Sequence, residues 1–292
     1  MSTLDSITKQ ELATLKGRTI IVTGGASGIG RATVLIAHAA GANVAIADVN
    51  KAAGEALAAE LQDRAIFVET DVSNWDSVLS LFQTTYDTFK SVDVVYGNAG
   101  TSVGDNLLED EIDKETGKLR APKLNNVQVN LFGAIYTTKA AIHFFAKHPE
   151  KKCQLVLTGS AASIIDNPPL FLYCAGKAGV LGLMRGMRTK MPERNVTINM
   201  IAPWMTVTAM LPQWIQDLWG DLPANNPDGV ARALLIPAVR PEVNGRTLWV
   251  AGNNAIEIEQ AIHRVQPQWM GSDLSTAVDE GQRRMGIIGS YD

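Results

Sequence analysis

The sequence predicts a single α/β domain with a doubly wound, seven-stranded parallel sheet and helices on both of its faces. Two observations lead to this fold class. Short apolar runs rich in β-branched residues alternate with longer segments of helical length, which is typical of a parallel sheet with right-handed helical crossovers. Hydrophobic residues make up 46% of the 292 positions, so one sizeable core can form without disulfides or a second domain.

Seven runs have the length and composition of strands. They are residues 18–22, 43–47, 65–68, 92–96, 154–158, 196–200 and 247–250. The clearest predicted helices between them are residues 31–40, 52–61, 75–89, 127–147 and 173–191. In a sheet of this type, ligands bind beyond the carboxyl ends of the strands, near the point where the strand order reverses. We therefore expect functional residues directly after strands.

Charge and cysteine content narrow the class of ligand. The formal net charge is −4 and is spread along the chain, which favours neither a nucleic acid nor an anionic membrane as partner. A small-molecule substrate fits better. Cys153 and Cys174 are too few for a disulfide framework, and no run has zinc-site spacing, so we expect reduced thiols and no bound metal.

The first residues and the hydropathy predict a cytoplasmic protein without integral membrane contact. Residues 1–16 carry charged side chains along their length and therefore lack the long apolar run of a signal peptide. No later segment has the length and hydrophobicity of a membrane span.

A glycine-rich segment, residues 23–30, follows the first predicted strand. A helix N-terminus offers unpaired amides and a positive dipole, and glycines let the pyrophosphate of a dinucleotide approach the backbone. Gly24, Gly28 and Gly30 are predicted to do this, with Ser27 and Ile29 of the same turn as further cofactor contacts. For the glycines alone, an ordinary tight turn is the alternative interpretation.

Asp48 ends the second predicted strand, eighteen residues after Gly30. A carboxylate at this position accepts hydrogen bonds from both ribose hydroxyls and repels a 2′-phosphate, which favours NAD over NADP. Its neighbour Val49 is a further predicted cofactor contact, and the nearest cation is Lys51. The alternative is that Asp48 is a turn residue before Asn50.

A second group of residues follows the fifth predicted strand. Ser160 comes just after the strand, and Tyr173 and Lys177 stand four positions apart, on one face of a helix. A tyrosine, with an ordinary pKa of about 10, needs a neighbouring cation to act as a base at neutral pH, and Lys177 supplies one. Ser160 can donate a hydrogen bond to a substrate oxygen on which charge develops. Without Ser160, an amphipathic helix with one buried phenol and one solvated amine would be the simpler interpretation.

Together these motifs make the chain resemble the short-chain dehydrogenase/reductase family over nearly its whole length. The residues that carry the resemblance are 23–30, Asp71, Val72, 98–100, Asn130, Ser160 and 173–177. The resemblance implies a Rossmann-type fold that binds NAD and moves a hydride to or from a secondary alcohol. It also implies that Asp71 and Val72 flank the adenine, and that Asn98, Ala99 and Gly100 support the central strand and the cofactor.

On the nicotinamide side, the resemblance implies a catalytic tetrad of Asn130, Ser160, Tyr173 and Lys177. Ser160 and Tyr173 would bind the reacting oxygen, with Tyr173 as the acid/base. Lys177 would lower the pKa of Tyr173 and bind the nicotinamide ribose, which Tyr173 also contacts. Asn130 would bend its helix and hold a water near Lys177, which gives the proton on Tyr173 a route to solvent.

Two departures from the family pattern stand out. Pro203 and Thr208 are expected at the nicotinamide carboxamide, but Trp204 follows Pro203 where the family usually has glycine, which places an indole beside the nicotinamide or in the substrate pocket. Residues 104–126 form a longer and more charged segment than the family pattern leads us to expect. We expect a surface loop there, either as a solvated face or as a border of the substrate entrance.

The motifs divide the chain into an N-terminal extension (1–16), an NAD-binding catalytic domain (17–265) and a C-terminal tail (266–292). Residues 204–228, rich in Trp, Met and Leu, are predicted to form an apolar substrate lid. Such a lid suits a sizeable hydrophobic alcohol, for example a terpenoid, a steroid-like compound or a polyketide. The alternative is that these side chains only pack the lid against its own domain or a neighbouring subunit.

The resemblance extends to 15-hydroxyprostaglandin dehydrogenase-like and fungal secondary-metabolite members, which implies NAD-dependent oxidation of a secondary alcohol to a ketone, or the reverse. It also implies a homodimer or homotetramer in which the helices at 127–147 and 173–191 pair across a twofold axis. Two alternatives stay open, because the fold alone does not dictate the reaction. One is a non-redox enzyme, such as a dehydratase, isomerase or cyclase; the other is a catalytically silent NAD-binding protein.

Overall fold

The structure is a computed structural model that describes residues 7–104 and 106–287. Its strands are β1 (Thr19–Thr23), β2 (Asn43–Asp48), β3 (Ala65–Glu69), β4 (Val94–Gly97), β5 (Cys153–Thr158), β6 (Val196–Pro203), β7 (Thr247–Ala251) and β8 (Asn254–Glu257). Within the described residues they form one eight-stranded sheet in the order β3-β2-β1-β4-β5-β6-β7-β8. The first seven strands are parallel to their neighbours. The predicted doubly wound α/β fold is confirmed.

The predicted number of strands is wrong, because the chain turns back after β7. Gly252 and Asn253 have φ angles of +54° and +64° and connect β7 to β8 as a two-residue hairpin. Strand β8 therefore pairs antiparallel with β7 at the edge of the sheet. Glycine and asparagine tolerate this left-handed backbone best, so a Gly-Asn pair after a strand is a hairpin signal. The sheet is mostly, and not wholly, parallel.

Helices cover both faces of the sheet. The helices are α1 (Lys9–Ala13), α2 (Gly28–Ala39), α3 (Lys51–Leu61), α4 (Trp75–Phe89), α5 (Asn125–Val127), α6 (Gly133–Phe145), α7 (Phe171–Met187), α8 (Gln213–Trp219), α9 (Pro227–Val239), α10 (Glu259–Arg264), α11 (Gln266–Met270) and α12 (Ser272–Arg284). Helices α2, α3 and α9 pack on one face, and α4, α6 and α7 on the other. Strand β1 shows how the core forms, because Ile20 and Val22 pack on one face and Ile21 on the other. Each fully buried side chain of this kind stabilises the fold by about 1.5–3 kcal/mol.

The helix predicted at 127–147 is interrupted. A π-helical turn, Gln128–Phe132, separates α5 from α6. Single turns of this kind widen a helix locally and are frequent at functional sites. Asn130 lies in the middle of the turn.

The N-terminal end of the described chain packs onto the domain. Ile7 and Leu15 are buried in the core beside α2 and α9, and Glu11 forms an ion pair with Arg240 at 2.7 Å. Residues 1–6 of the predicted extension lie outside the described residues. In the predicted tail, α11 and α12 are helical, and residues 288–292 lie outside the described residues. Within the described ranges, no helix is long and apolar enough to cross a membrane.

The strand order predicts a crevice at the end of the sheet where the parallel strands have their carboxyl ends. Strand β1 pairs with β2 on one side and with β4 on the other, so the direction of the crossovers reverses between β1 and β4. Connections on either side of such a point diverge and leave an opening beyond the carboxyl ends of the strands. The predicted site residues lie at or after the carboxyl ends of β1, β2, β3, β4, β5 and β6.

Candidate active site

The glycine-rich turn after β1 has no room for side chains. Gly24 and Gly28 have φ angles of +65° and +50°, in the left-handed region that favours glycine. A Cβ atom on Gly30 would lie 2.0 Å from the carbonyl oxygen of Gly24, and one on Gly24 would lie 2.9 Å from Cα of Ala99. The α2 backbone can therefore approach β1 and β4 only because these residues are glycines.

The same turn exposes backbone donors. Helix α2 begins at Gly28, with Ser27 as the N-cap residue. Among the described residues, the Ser27 side chain makes no capping hydrogen bond to the backbone of the first turn. Ile29 belongs to this first turn. The amides at a helix N-terminus have no partner within the helix and lie at the positive end of its dipole. This turn therefore has the features of an anion-binding site.

Asp48 lies at the end of β2, next to the glycine-rich turn. Its Oδ2 accepts a hydrogen bond from the Ala26 amide at 3.0 Å, and its Oδ1 accepts one from the Asn50 amide at 2.9 Å. Both carboxylate oxygens keep further acceptor capacity. Lys51 approaches Glu69, at 3.8 Å. Asp48 thus stabilises the local turn, as expected if it is a turn residue before Asn50. It can still accept hydrogen bonds from a ligand.

Asn98 joins the ends of three strands. Its side-chain amide donates to the carbonyl of Thr23 at 3.0 Å, and its side-chain oxygen accepts from the Thr158 hydroxyl at 3.3 Å. The Thr23 hydroxyl in turn accepts from the amides of Asn98, at 2.9 Å, and Ala99, at 3.0 Å. These bonds tie the carboxyl ends of β1, β4 and β5 together beside the glycine-rich turn.

The residues predicted at the adenine lie after β3. Asp71 is exposed, and its carboxylate accepts from the Ser73 amide at 2.9 Å. Val72 is buried, and its Cγ2 lies 2.7 Å from the position that a Cβ on Gly133 would take. Val72 therefore packs at the start of α6, while Asp71 stands at the surface.

The four residues of the predicted tetrad come together at the carboxyl end of β5. Gly100 lies between two of them, because a Cβ there would lie 2.8 Å from Asn130 Oδ1 and 3.2 Å from Lys177 Nζ. Lys177 Nζ is 5.7 Å from the centre of the Tyr173 ring. Ser160 shares a hydrogen bond with the Tyr173 phenol and also accepts one from the backbone at the start of a short 3₁₀ turn.

Burial changes the acid–base properties of this cluster. Burial raises the pKa of Tyr173, and the hydrogen bond with Ser160 offsets this only in part. Burial also lowers the pKa of Lys177 to about 8. The Lys177 ammonium donates to the Thr158 carbonyl at 2.8 Å, which holds it below the tyrosine ring. At neutral pH the chain by itself therefore presents a protonated phenol and a protonated amine.

Sequence reasoning missed Asn126, a fully buried residue one helical turn before Asn130. Asn130 donates to Asn126 Oδ1 at 2.7 Å and to the Thr101 carbonyl at 2.8 Å, and accepts from the Thr101 amide at 3.0 Å. Asn126 donates to the carbonyls of Thr101, at 3.0 Å, and Val103, at 3.1 Å. A second asparagine four positions before the first, on the same helix face, was the available signal.

Residues 203–208 lead from the sheet into the predicted lid. The Thr208 methyl lies 3.5 Å from the position that a Cβ on Gly28 would take, so Thr208 covers the glycine-rich turn. Pro203 ends β6 and is buried. Trp204 stacks on Trp249 of β7, with ring centres 6.0 Å apart, and meets the edge of Trp219 at the end of α8, at 5.7 Å. Its indole therefore joins the sheet to the lid.

The predicted lid is held at its two ends and carries exposed apolar side chains between them. Asn225 donates to the Val250 carbonyl at 2.9 Å, and its amide donates to the Met205 carbonyl at 2.7 Å. Between these ends, four large apolar side chains are at least half exposed: Met210, Trp214, Leu218 and Leu222.

The charged segment after β4 lies at the surface and is paired within itself. Asp113 forms an ion pair with Arg120 at 3.0 Å, and Glu111 one with Lys123 at 2.8 Å. Asp105 lies outside the described residues. Within the described ranges, no three His, Cys, Asp or Glu side chains come close enough to hold a metal ion, and Cys153 and Cys174 are unbridged.

Comparison with known proteins agrees with the fold and gives the family of the chain. The family model for short chain dehydrogenases matches residues 18–219, and the chain belongs to this family. A short-chain dehydrogenase/reductase of Penicillium rubens is 31% identical, over 91% of this chain and 84% of the relative. The 5'-hydroxyaverantin dehydrogenase of Dothistroma septosporum is 32% identical, over 91% of this chain and 94% of the relative. The chain is thus an oxidoreductase of a family that uses nicotinamide cofactors.

Solved structures show the same fold. A 3-ketoacyl-(acyl-carrier-protein) reductase from Brucella melitensis complexed with NADH superposes with a TM-score of 0.71 at 24% identity, over 82% of this chain and 98% of that one. A short-chain type dehydrogenase/reductase from Mycobacterium marinum superposes with a TM-score of 0.74 at 22% identity, over 84% of this chain and 98% of that one.

Proposed function

We propose that this protein oxidises a secondary alcohol of a hydrophobic small molecule to a ketone, with NAD as oxidant and Tyr173 as the base. The observation that carries the proposal is the grouping of Ser160, Tyr173 and Lys177 beside the glycine-rich turn. The fold permits the reverse reaction, and the same residues would then act with Tyr173 as the acid.

The glycine-rich turn fits a dinucleotide. A side chain at Gly24 or Gly30 would clash with backbone. Because both residues are glycines, no side chain there covers the backbone amides at the positive end of α2. Gly28, Ser27 and Ile29 complete this phosphate cradle. When bound, the cofactor accepts the hydride that leaves the alcohol carbon.

Asp48 is the proposed determinant of NAD over NADP. Its carboxylate keeps acceptor capacity for ribose hydroxyls, and a 2′-phosphate placed beside it would meet a negative charge. The ammonium of Lys51 approaches Glu69 and leaves that repulsion in place. We also propose that Asp71 and Val72 flank the adenine, that Val49 is a further cofactor contact, and that residues 98–100 support the central strand and the cofactor. Pro203 and Thr208 would meet the carboxamide.

The proton leaves the alcohol through Tyr173. Ser160 and Tyr173 hold the alcohol oxygen, and the phenolate of Tyr173 takes the hydroxyl proton as the hydride leaves the carbon. Two electrons leave the substrate with the hydride, so the alcohol becomes a ketone. The Lys177 ammonium stabilises the phenolate, and the Thr158 carbonyl holds that ammonium in place. Because burial raises the pKa of Tyr173, oxidation should speed up as the pH rises from neutral towards 8, the pH near which Lys177 loses the proton that stabilises the phenolate.

The exposed apolar side chains of residues 204–228 support a hydrophobic substrate. Closing over an apolar molecule would remove the exposed surfaces of Trp214 and Leu218 from water, which stabilises the complex by about 25 cal/mol per Å². The relative named 5'-hydroxyaverantin dehydrogenase and the 33% identical tropinone reductase-like 2 of Erythroxylum coca support a small organic alcohol or ketone as the substrate. We further propose a homodimer or homotetramer in which α6 and α7 pair across a twofold axis.

The test measures NADH absorbance with NAD and a panel of alcohols containing 5'-hydroxyaverantin, tropine and a 3-hydroxysteroid. We expect turnover of at least one alcohol, and its loss in Tyr173→Phe with NADH binding retained, because the phenol acts in proton transfer. Tyr136→Phe on α6 is the matched control and should keep the activity. Loss of NADH binding in Tyr173→Phe would contradict the assigned role.

The same assay decides between cofactors and between reaction classes. NADP in place of NAD should give much lower kcat/KM, and Asp48→Ala should narrow the difference. Equal kcat/KM for both cofactors in the wild-type protein would overturn the role of Asp48. If NADH binds tightly and every alcohol is inert, the result favours a non-redox enzyme on this scaffold.

A further inference from the structure

Asn126 belongs to the same hydrogen-bonded unit as Asn130. Its side chain is fully buried and uses both amide hydrogens and its oxygen. A buried amide that is fully satisfied fixes the groups around it, because losing any one bond leaves a polar atom without a partner. Asn130 is fixed in the same way, through Asn126 on one side and Thr101 on the other.

This unit packs directly against the helix that carries the tyrosine and the lysine. A Cβ on Gly176 would lie 3.2 Å from Cβ of Asn130 and 3.8 Å from Oδ1 of Asn126. Gly176 immediately precedes Lys177, and Asn130 and Lys177 lie on either side of Gly100. The position of the two asparagines therefore sets the space around the lysine.

Asn126 also joins both ends of the charged surface segment to the site. It donates to the Val103 carbonyl just before that segment, and it is itself the last residue of the segment. Gly104, the first residue of the segment, is close-packed on it, since a Cβ there would lie 3.4 Å from Cβ of Asn126. The two ends of the segment thus meet at one side chain.

We propose that Asn126 is a positioning residue of the reaction, which holds Asn130 against α7 beside Lys177 and clamps both ends of the 104–126 segment to it. The inference rests on the proposed function. It assigns Asn126 no contact with substrate or cofactor. Its removal should therefore slow the chemical step and leave cofactor affinity unchanged.

The variant Asn126→Leu tests this, with two controls that separate positioning from stability. Asn125→Leu changes the exposed neighbour on the same helix. Asn199→Leu removes another fully buried asparagine, which on β6 donates to the Val243 carbonyl at 2.9 Å and accepts from the Arg246 amide at 3.0 Å. We expect kcat to fall about tenfold or more in Asn126→Leu alone, at a temperature where all variants are folded, with the Kd for NADH changed less than about twofold.

The conservative variant Asn126→Asp provides a rescue. When protonated, its carboxyl can accept from Asn130 and donate to one of the two carbonyls; when ionised, it faces the oxygens of Thr101 and Val103 without a proton to share. Its kcat relative to wild type should therefore be higher at acidic than at alkaline pH. The same ratio for Asn126→Leu should not vary with pH. Equal kcat for Asn126→Leu and wild type, or an equal loss in Asn199→Leu, would overturn the proposal.

Hydrogen exchange provides a readout without substrate. The Thr101 amide donates to Asn130 Oδ1, so its exchange reports whether Asn130 is held. We expect this amide to exchange about tenfold faster or more in Asn126→Leu, and at the wild-type rate in Asn199→Leu. If no alcohol is turned over by the wild-type protein, the proposed function fails, while unchanged Thr101 exchange in Asn126→Leu would still refute the role of Asn126.

Discussion

Replacing Lys177 with methionine should change how the stability of the protein depends on pH. Burial lowers the pKa of this lysine from its usual 10.5 to about 8. The difference is about 2.5 pH units, and one unit corresponds to about 1.4 kcal/mol, so keeping the charged form buried costs about 3 kcal/mol near neutral pH. Methionine has a similar length and no charge, and therefore removes this cost.

The sign of the effect follows from proton binding. Between about pH 8 and pH 10.5 the unfolded chain holds a proton on this lysine that the folded protein has released, so the stability of the wild-type protein rises with pH. Lys177→Met has no such contribution. Its free energy of unfolding relative to wild type should therefore decrease by about 3 kcal/mol between about pH 7 and pH 10. The lost hydrogen bond to Thr158 shifts that difference equally at every pH.

Urea unfolding at a series of pH values, at one protein concentration, measures this difference. Lys139→Met, which removes an exposed lysine on α6, is the matched control and should differ from wild type by the same amount throughout. A difference between Lys177→Met and wild type that does not change with pH would refute the reasoning. The variant should also lose the proposed oxidation, because no ammonium remains to stabilise the phenolate.

Three further changes test other parts of the structure. Gly30→Ala should abolish NADH binding measured by fluorescence, because its Cβ would lie 2.0 Å from a backbone carbonyl oxygen. Gly186→Ala is the control: its Cβ would enter open space, so the variant should bind NADH normally and gain about 0.5–1 kcal/mol of stability. Glu259→Gln, which removes a buried carboxylate shared by Arg185 of α7 and by Arg188 just after that helix, should lower the free energy of urea unfolding by about 3 kcal/mol or more. Trp204→Gly should raise KM for the alcohol at least severalfold with NADH affinity retained, because the indole joins the lid to the sheet; an unchanged KM would contradict this function of Trp204.

The sequence alone was sufficient for features whose cause is local. Helix α4 was predicted with its observed ends, and its causes are local, since the Asn74 cap and the apolar period lie within the same stretch of chain. The seven parallel strands were found because runs buried on both faces are continuously apolar. The glycine-rich turn was found because glycine is the residue that most readily adopts its backbone conformation, as the positive φ angles of Gly24 and Gly28 illustrate.

The candidate site was predicted in part for the same reason. Ser160, Tyr173 and Lys177 are brought together by one strand, one short turn and one helix. Their electrostatic state was not predictable, because the pKa of Lys177 depends on how deeply the surrounding segments bury it. Strand β8 was missed for a different reason. Its hairpin signal, Gly252 followed by Asn253, is present in the sequence and was overlooked.

Tertiary structure alone decided the contacts between distant segments. Leu15 is buried under helices that lie far along the chain, and Glu259 is paired with Arg185 and Arg188 across the C-terminal part of the domain. Asn126 meets Thr101 and Val103 only because the charged segment between them closes on itself. A sequence pattern reports what a residue prefers locally. Which partners satisfy a buried polar group depends on the packing of the whole fold, because each bond is made with a residue that the local pattern does not contain.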